Sequence, residues 1–209
     1  ITIAKNVERL GESEERCTCF NECYKLKSIN AQGGKFKSIN GVLFCDANFN
    51  STIDRTCYRL LCYPYAKSDI TYSVPLNTSQ IAPNAFNGNR KLKEINISSS
   101  AIIIYECAFR GCSSLKNVSI SGLSMLFESA FENCTSLENF TNDGLLTFGK
   151  SLFRNCSMLK SITIPRTIDA INECAFEGCT SLSDIYYLGT EDEWKNVTVA
   201  DGNDALLSA

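Results

Sequence analysis

The sequence predicts a β-rich, right-handed solenoid of stacked 22–23-residue repeats. It carries one short parallel sheet, a hairpin insert and a small helical cap at the C-terminus. Three observations predict this. Phenylalanines at 86, 109, 131, 153 and 176 step by 23, 22, 22 and 23 residues. Each, like Phe20, is followed at plus three by Cys or Asn (Cys23, Asn89, Cys112, Cys134, Cys156, Cys179). Each is then followed at plus six by leucine (Leu26, Leu92, Leu115, Leu137, Leu159, Leu182). A short fixed period of this kind is the mark of stacked repeats, and it points to extended surfaces rather than a deep pocket.

Within a repeat the next apolar positions fall two apart, as in Val118 and Ile120 or Ile162 and Ile164. That is the alternation of a strand with one buried face. Six such strands, stacked at about 4.8 Å, would form a ridge of roughly 30 Å. An apolar residue five before each phenylalanine (Ile81, Ile104, Leu126, Phe148, Ile171) and a small-large pair such as Ala108-Phe109 complete the core, with an aromatic spine expected along it. Asn142 stands where an inward aliphatic is expected, and Asn142-Asp143-Gly144 reads as a turn or bulge.

The pattern C-x-x-L-x-x-I-x-I-P followed by I-x-x-x-A-F-x-x-C resembles the BspA-like leucine-rich repeats of bacterial surface antigens. Cys156 to Cys179 fits it almost position for position. Phe36 to Phe44, Leu60 to Tyr65 and Tyr72 to Pro75 resemble the hairpin that interrupts such arrays, and Tyr186 to Leu206 resembles their terminal unit. Two departures are Asn89 in a cysteine position and five extra residues between Leu10 and Phe20. The expected division is an N-terminal repeat over 1–31, hairpin insert and return over 32–80, regular repeats over 81–187 and a cap over 188–209. Thr190 and Glu193 form a capping-box pattern at the cap, with Trp194 on the inner side of its helix.

Composition narrows function. The chain has 209 residues, 44% of them hydrophobic, enough for one continuous core. A net charge of -3 offers no basic face for nucleic acid. It contains no histidine, so histidine-dependent catalytic pairs and histidine-ligated metals are excluded. No apolar run reaches the length of a membrane span. No nucleophile with a neighbouring base, carboxylate pair or glycine-rich phosphate loop is legible, so neither catalysis nor a cofactor is expected.

Twelve cysteines admit disulfides, a metal site or buried thiols. Stacked repeat cysteines would stand near the strand spacing of about 4.8 Å, beyond the roughly 3.5–4.5 Å between Cβ atoms that a disulfide needs. Free structural thiols are therefore expected there. Cys107 and Cys174 are expected to be outward or half-buried. Cys17, Cys19 and Cys23 lack a fourth ligand at zinc spacing. A Cys45–Cys57 bridge would close a 13-residue loop and is as plausible as not. Eight N-x-[ST] sequons, at Asn50, Asn77, Asn96, Asn117, Asn133, Asn139, Asn155 and Asn196, read as by-products of an Asn/Ser/Thr-rich pattern rather than glycan sites.

The outward strand positions nominate a partner-binding face: Glu94, Asn96, Asn117, Ser119, Asn139, Thr141, Ser161, Thr163, Asp184 and Tyr186, preceded by Ser28 and Asn30. Tyr58, Tyr63 and Tyr65 of the insert are either aromatic anchors or a cover for the edge of the array. The resemblance implies an adhesion module, secreted or at the cell surface and bound to a protein or glycan of a host surface or matrix. The residues add that it is non-enzymatic, and the start in mid-pattern at Ile1 raises the expectation of a longer parent protein. The alternatives are a spacer without its own ligand and an intracellular scaffold, which free thiols would suit.

Overall fold

The computed structural model describes residues 1–7, 9–10, 20, 23–46 and 57–209. The repeats wind as a β-solenoid with little helix. Two parallel ladders run along it, and both come from the same segments. β8 (Glu94–Ile104), β9 (Asn117–Leu126) and β10 (Asn139–Phe148) each bend through a register shift, so one strand serves both ladders. β-branched and aromatic residues fill the inward positions. Ile95, Val118 and Phe140 pair in one row, and Ile104, Leu126, Phe148 and Ile171 in the other, all buried.

The first ladder starts with β6 (Thr71–Val74), which pairs with β8. Beyond β10, β11 (Ser161–Ile164) and β13 (Asp184–Tyr187) pair only with each other. The expected unbroken ridge is therefore divided there. The physical reason lies in β10: Asn142 occupies the paired row of Ile97 and Ile120, and a bulge between Asn142 and Gly144 bends the strand. The Asn142 amide donates to Ser124 Oγ at 2.6 Å and accepts from the Gly144 N–H at 2.9 Å, satisfying the inward polar group.

The second ladder runs from β5 (Tyr58–Cys62) through β7 (Thr78–Ile81), β8, β9, β10 and β12 (Ala170–Ile171) to β14 (Thr198–Val199). β3 (Phe36–Ile39) and β4 (Val42–Asp46) form the hairpin and extend this second ladder in antiparallel sense. The hairpin thus continues the return side of the solenoid. At the N-terminus β1 (Thr2–Ile3) pairs with β2 (Asn30–Ala31) and not with the main array, so Ser28 and Asn30 do not continue the strand face.

Between the ladders each repeat turns through its phenylalanine. Residues two before and two after it have positive φ: Cys107 and Gly111, Ser129 and Asn133, Ser151 and Asn155, Cys174 and Gly178. The left-handed geometry turns N–H groups along the stack, and it explains Gly or Asn at plus two. Phe109 N–H then donates to Ala130 O, Phe131 to Leu152 O and Phe153 to Ala175 O, at 2.8–3.0 Å.

The phenylalanines stack as one buried row, with ring centroids 4.6 Å (Phe86–Phe109), 5.0 Å (Phe109–Phe131), 5.8 Å (Phe131–Phe153) and 5.6 Å (Phe153–Phe176) apart. The row has one more member. Tyr63 lies 23 residues before Phe86, stacks on it at 4.8 Å and is only 3% exposed. Its hydroxyl reaches Asp69 at 3.3 Å. Burial and that carboxylate raise its pKa well above the ordinary tyrosine range. The reading of Tyr63 as an exposed anchor is corrected: it is a core residue.

The C-terminal cap holds α1 (Glu191–Trp194) and α2 (Asp204–Leu207). Thr190 and Glu193 form the reciprocal capping box, and Trp194 is half-buried against Tyr187 at 5.1 Å. That capping hydrogen bond to Thr190 holds the Glu193 carboxyl below the usual glutamate range.

Candidate functional site

The thiol row decides what the cysteines can do. The Cys112, Cys134, Cys156 and Cys179 thiols donate to the carbonyls of Phe86, Phe109, Phe131 and Phe153 in the preceding repeat, at 3.1–3.2 Å. In the Phe86 repeat an amide replaces the thiol: Asn89 accepts from the N–H groups of Lys91 and Leu92 at 2.9 Å and donates to Tyr65 O at 3.4 Å. All four thiols are free and buried. Burial pushes Cys134 and Cys156 well above the ordinary thiol value and Cys179 up to about 12. They are structural donors, not nucleophiles. Cys107 and Cys174 are half-buried and free, Cys23 and Cys57 are free, and no Cys45–Cys57 bridge forms. Cys17, Cys19 and the Asn50 sequon lie outside the described residues. Among the described residues no cluster of three metal-ligating side chains occurs, and no helix is long and apolar enough to cross a membrane.

The nominated strand face assembles in register. Glu94, Asn117 and Asn139 stand side by side, as do Asn96, Ser119 and Thr141. Ser161 faces Asp184 and Thr163 faces Tyr186 in the separate pair. Asn117, Ser119, Asn139, Thr141, Thr163, Asp184 and Tyr186 are exposed, whereas Glu94, Asn96 and Ser161 are half-buried. Neighbouring side chains on this face pair with one another: Asn139 donates to the Asn117 amide oxygen at 2.8 Å, and Asn96 donates to the Glu94 carboxylate at 3.1 Å. Exposed Thr71 and Ser73 of β6 extend the same rows; they lie within 32–80, where the sequence carries no repeat spacing that marks them as part of the strand face. Tyr58 belongs to the other ladder, where its hydroxyl accepts from Lys37 at 2.8 Å. Tyr65 is half-buried and packs edge-on against Tyr24 at 4.9 Å.

Charged columns run along the turns. Arg110 pairs with Glu132 at 3.0 Å, Arg154 with Glu177 at 2.9 Å and Lys150 with Glu173 at 2.6 Å. Glu138 lies between Lys116 and Lys160, at 3.4 and 3.1 Å, and the bonds from Lys160 and then Lys116 hold its carboxyl below the usual glutamate value.

The outward face of the second ladder differs in chemistry. Where a solvated strand would carry polar residues, it presents Ile103, Leu123, Met125 and Leu146 around a shallow depression of about 260 Å³. Leu123 is 52% exposed and Leu146 42%. Beside it Tyr105 and Phe127 stack at 5.6 Å, with Phe127 37% exposed and the Arg59 guanidinium 4.9 Å over the Tyr105 ring. The sequence held a signal for this patch, since Ile102-Ile103-Ile104 and Leu145-Leu146 place apolar residues on both faces of their strands.

Stacked strand–turn units with a buried aromatic spine, a thiol ladder and plus-six leucines define a leucine-rich-repeat solenoid. The chain belongs to the BspA-type leucine-rich-repeat family, whose model matches residues 62–196 as six copies. The chain is similar to a leucine-rich cell surface protein of Faecalibacterium prausnitzii (28% identity, TM-score 0.81), over 95% of this chain and 50% of that one. It is also similar to the pneumococcal vaccine antigen PcpA (25% identity, TM-score 0.72), over 99% and 52%. A leucine-rich-repeat protein of T. pallidum shares the fold (23% identity, TM-score 0.54), over 65% and 76%. The chain thus spans about half the length of the first two. No curated protein matches the sequence.

Proposed function

We propose that the chain is a non-enzymatic recognition module displayed at a cell surface, and that its partner is a protein. The observation that carries this reading is the apolar patch on the second ladder, exposed Leu123 and Leu146 with half-buried Ile103 and Met125 beside them. Contiguous exposed apolar side chains with a polar surround are costly in water and suit a protein interface. Phe127, stacked on Tyr105 at its border, is the aromatic type that anchors such contacts. The similarity to a bacterial cell surface protein and to a pneumococcal antigen supports the surface location.

The polar strand face from Thr71 to Tyr186 is the second candidate surface, supported by its regular spacing and exposure. Two of its amides are already engaged by neighbours, Asn139 with Asn117 and Asn96 with the Glu94 carboxylate, which leaves fewer polar groups for a ligand. A two-variant experiment separates the surfaces. Leu123→Lys with Leu146→Lys alters the patch, and Asn117→Lys with Asn139→Lys and Ser161→Lys alters the strand face. Both are measured against a panel of purified extracellular matrix proteins at matched thermal stability. Loss in the first variant alone supports the patch, and loss in the second alone moves the site to the strand face. A parent chain that binds nothing above an unrelated repeat protein leaves the spacer reading standing.

A further inference from the structure

We infer that the junction between the N-terminal unit and the main array is a binding site for a carboxylate-bearing sugar. The stack changes character there. Tyr63 is the terminal ring of the spine, and beyond it the N-terminal repeat and the hairpin pack a second core cluster around Ile3, Ile29, Phe36 and Leu43. Where the two units meet, a cleft of about 300 Å³ opens, the size of one or two pyranose rings.

Its lining departs from the repeat pattern at each relevant position. Asn87 stands in the column that holds Arg110, Glu132, Arg154 and Glu177 in later repeats, and its amide instead donates to Asn84 at 2.8 Å. Arg90 stands where later repeats have Ser113, Thr135, Ser157 and Thr180. Arg90 is exposed at the cleft, and Lys91 reaches across to Ala66 O at 3.3 Å. Among the described residues neither cation has a carboxylate partner, whereas Arg110, Lys150 and Arg154 in later turns each have one. Tyr24, 58% exposed, and Tyr65 meet edge-on at the wall.

These groups suit one ligand chemistry. Tyrosine rings pack against the apolar C–H face of a pyranose. The Asn84–Asn87 pair offers both donors and acceptors to neighbouring hydroxyls. The Arg90 guanidinium matches a carboxylate in a two-point, charge-assisted contact. This site is distinct from the apolar patch, and either can exist without the other.

The test is titration of the intact chain, followed by calorimetry and by NMR of the ligand, with three probes. These are 3′-sialyllactose, a hyaluronan tetrasaccharide and neutral lactose. The expected result is saturable binding of at least one acidic sugar, with lactose weaker by about tenfold or more. Arg90→Gln should lose about tenfold in affinity, and Tyr24→Ala should also weaken binding. Arg90 is exposed, so Arg90→Gln should leave thermal unfolding unchanged, whereas Tyr24→Ala also removes the edge contact with Tyr65. Binding of sialyllactose alone assigns a terminal sialic acid, and binding of both acidic probes assigns the carboxylate as the shared feature. The Leu123→Lys, Leu146→Lys variant should bind sugar as the parent does, which separates this site from the protein-binding surface. Absence of acidic-sugar binding up to about 10 mM, the range of weak sites, equal affinity for lactose, or an unaffected Arg90→Gln variant would overturn the inference.

Discussion

Asn203 Oδ1 accepts the backbone N–H of Phe176 at 3.0 Å, the position at which every earlier spine residue meets a carbonyl of the next repeat. Its amide also donates to Asn172 O at 3.0 Å and Ala200 O at 2.7 Å. One buried side chain thus stands in for the missing repeat, so the last phenylalanine keeps its donor satisfied. Asn203→Ala should cost about 1–3 kcal/mol, the penalty for orphaned buried polar groups. Amide exchange should accelerate first at Phe176 and Cys174, and uniform acceleration along the chain would contradict a local cap.

The spine carries a second expectation. Phe131→Ala should cost about 3–5 kcal/mol, because the ring lies between Phe109 and Phe153 with no exposed surface. Tyr63→Ala should cost a similar amount, whereas a surface tyrosine would cost little. Chemical denaturation of the two variants checks both, and a Tyr63→Ala variant as stable as the parent would remove it from the core.

The thiols set the alkaline limit of stability. Cys179 is raised from an ordinary 9.0 to about 12, and Cys134 and Cys156 are also raised, so the folded state keeps protons that the unfolded chain gives up. Stability from these groups is complete below about pH 9 and is lost as pH climbs toward 12. Denaturation midpoints measured across that window should fall. Native protein should shield Cys112, Cys134, Cys156 and Cys179 from thiol reagents, and unfolding without reductant should release all four.

Acid acts in the opposite direction at the surface. The Glu138 carboxyl, held low by Lys160 and Lys116, contributes stability above its unfolded pKa and loses it as pH falls through the lower folded value. The group is half-buried at the surface and its two lysine partners are solvated, so Glu138→Gln should change stability little at neutral pH. NMR titration of the Glu138 side chain checks the direction of the shift.

The phenylalanine period, the thiol row and the capping box were legible because each repeats a local rule at fixed spacing. Tyr63 was not, because Ala66 and Asp69 fill the positions of the ladder cysteine and leucine, leaving only its 23-residue distance to Phe86. Asn203 was hidden for another reason. A cap is needed where the repeat stops, so no period announces it. The nominated strand face assembled in register, but its extension through Thr71 and Ser73 depended on a pairing that sequence alone left in the insert. The apolar patch was written in Ile102-Ile103-Ile104, yet which of two apolar faces points outward depends on a bend within β8 and β9.

The recognition reading is tested most directly by amide exchange on a complex with whichever purified matrix protein binds. The account predicts protection concentrated at 101–104, 123–126 and 144–148, with Leu123→Lys and Leu146→Lys weakening binding at least tenfold, as loss of a hot spot does. Protection confined to the strand face around Asn117 and Asn139, with the Leu123→Lys, Leu146→Lys variant binding as tightly as the parent, would contradict it.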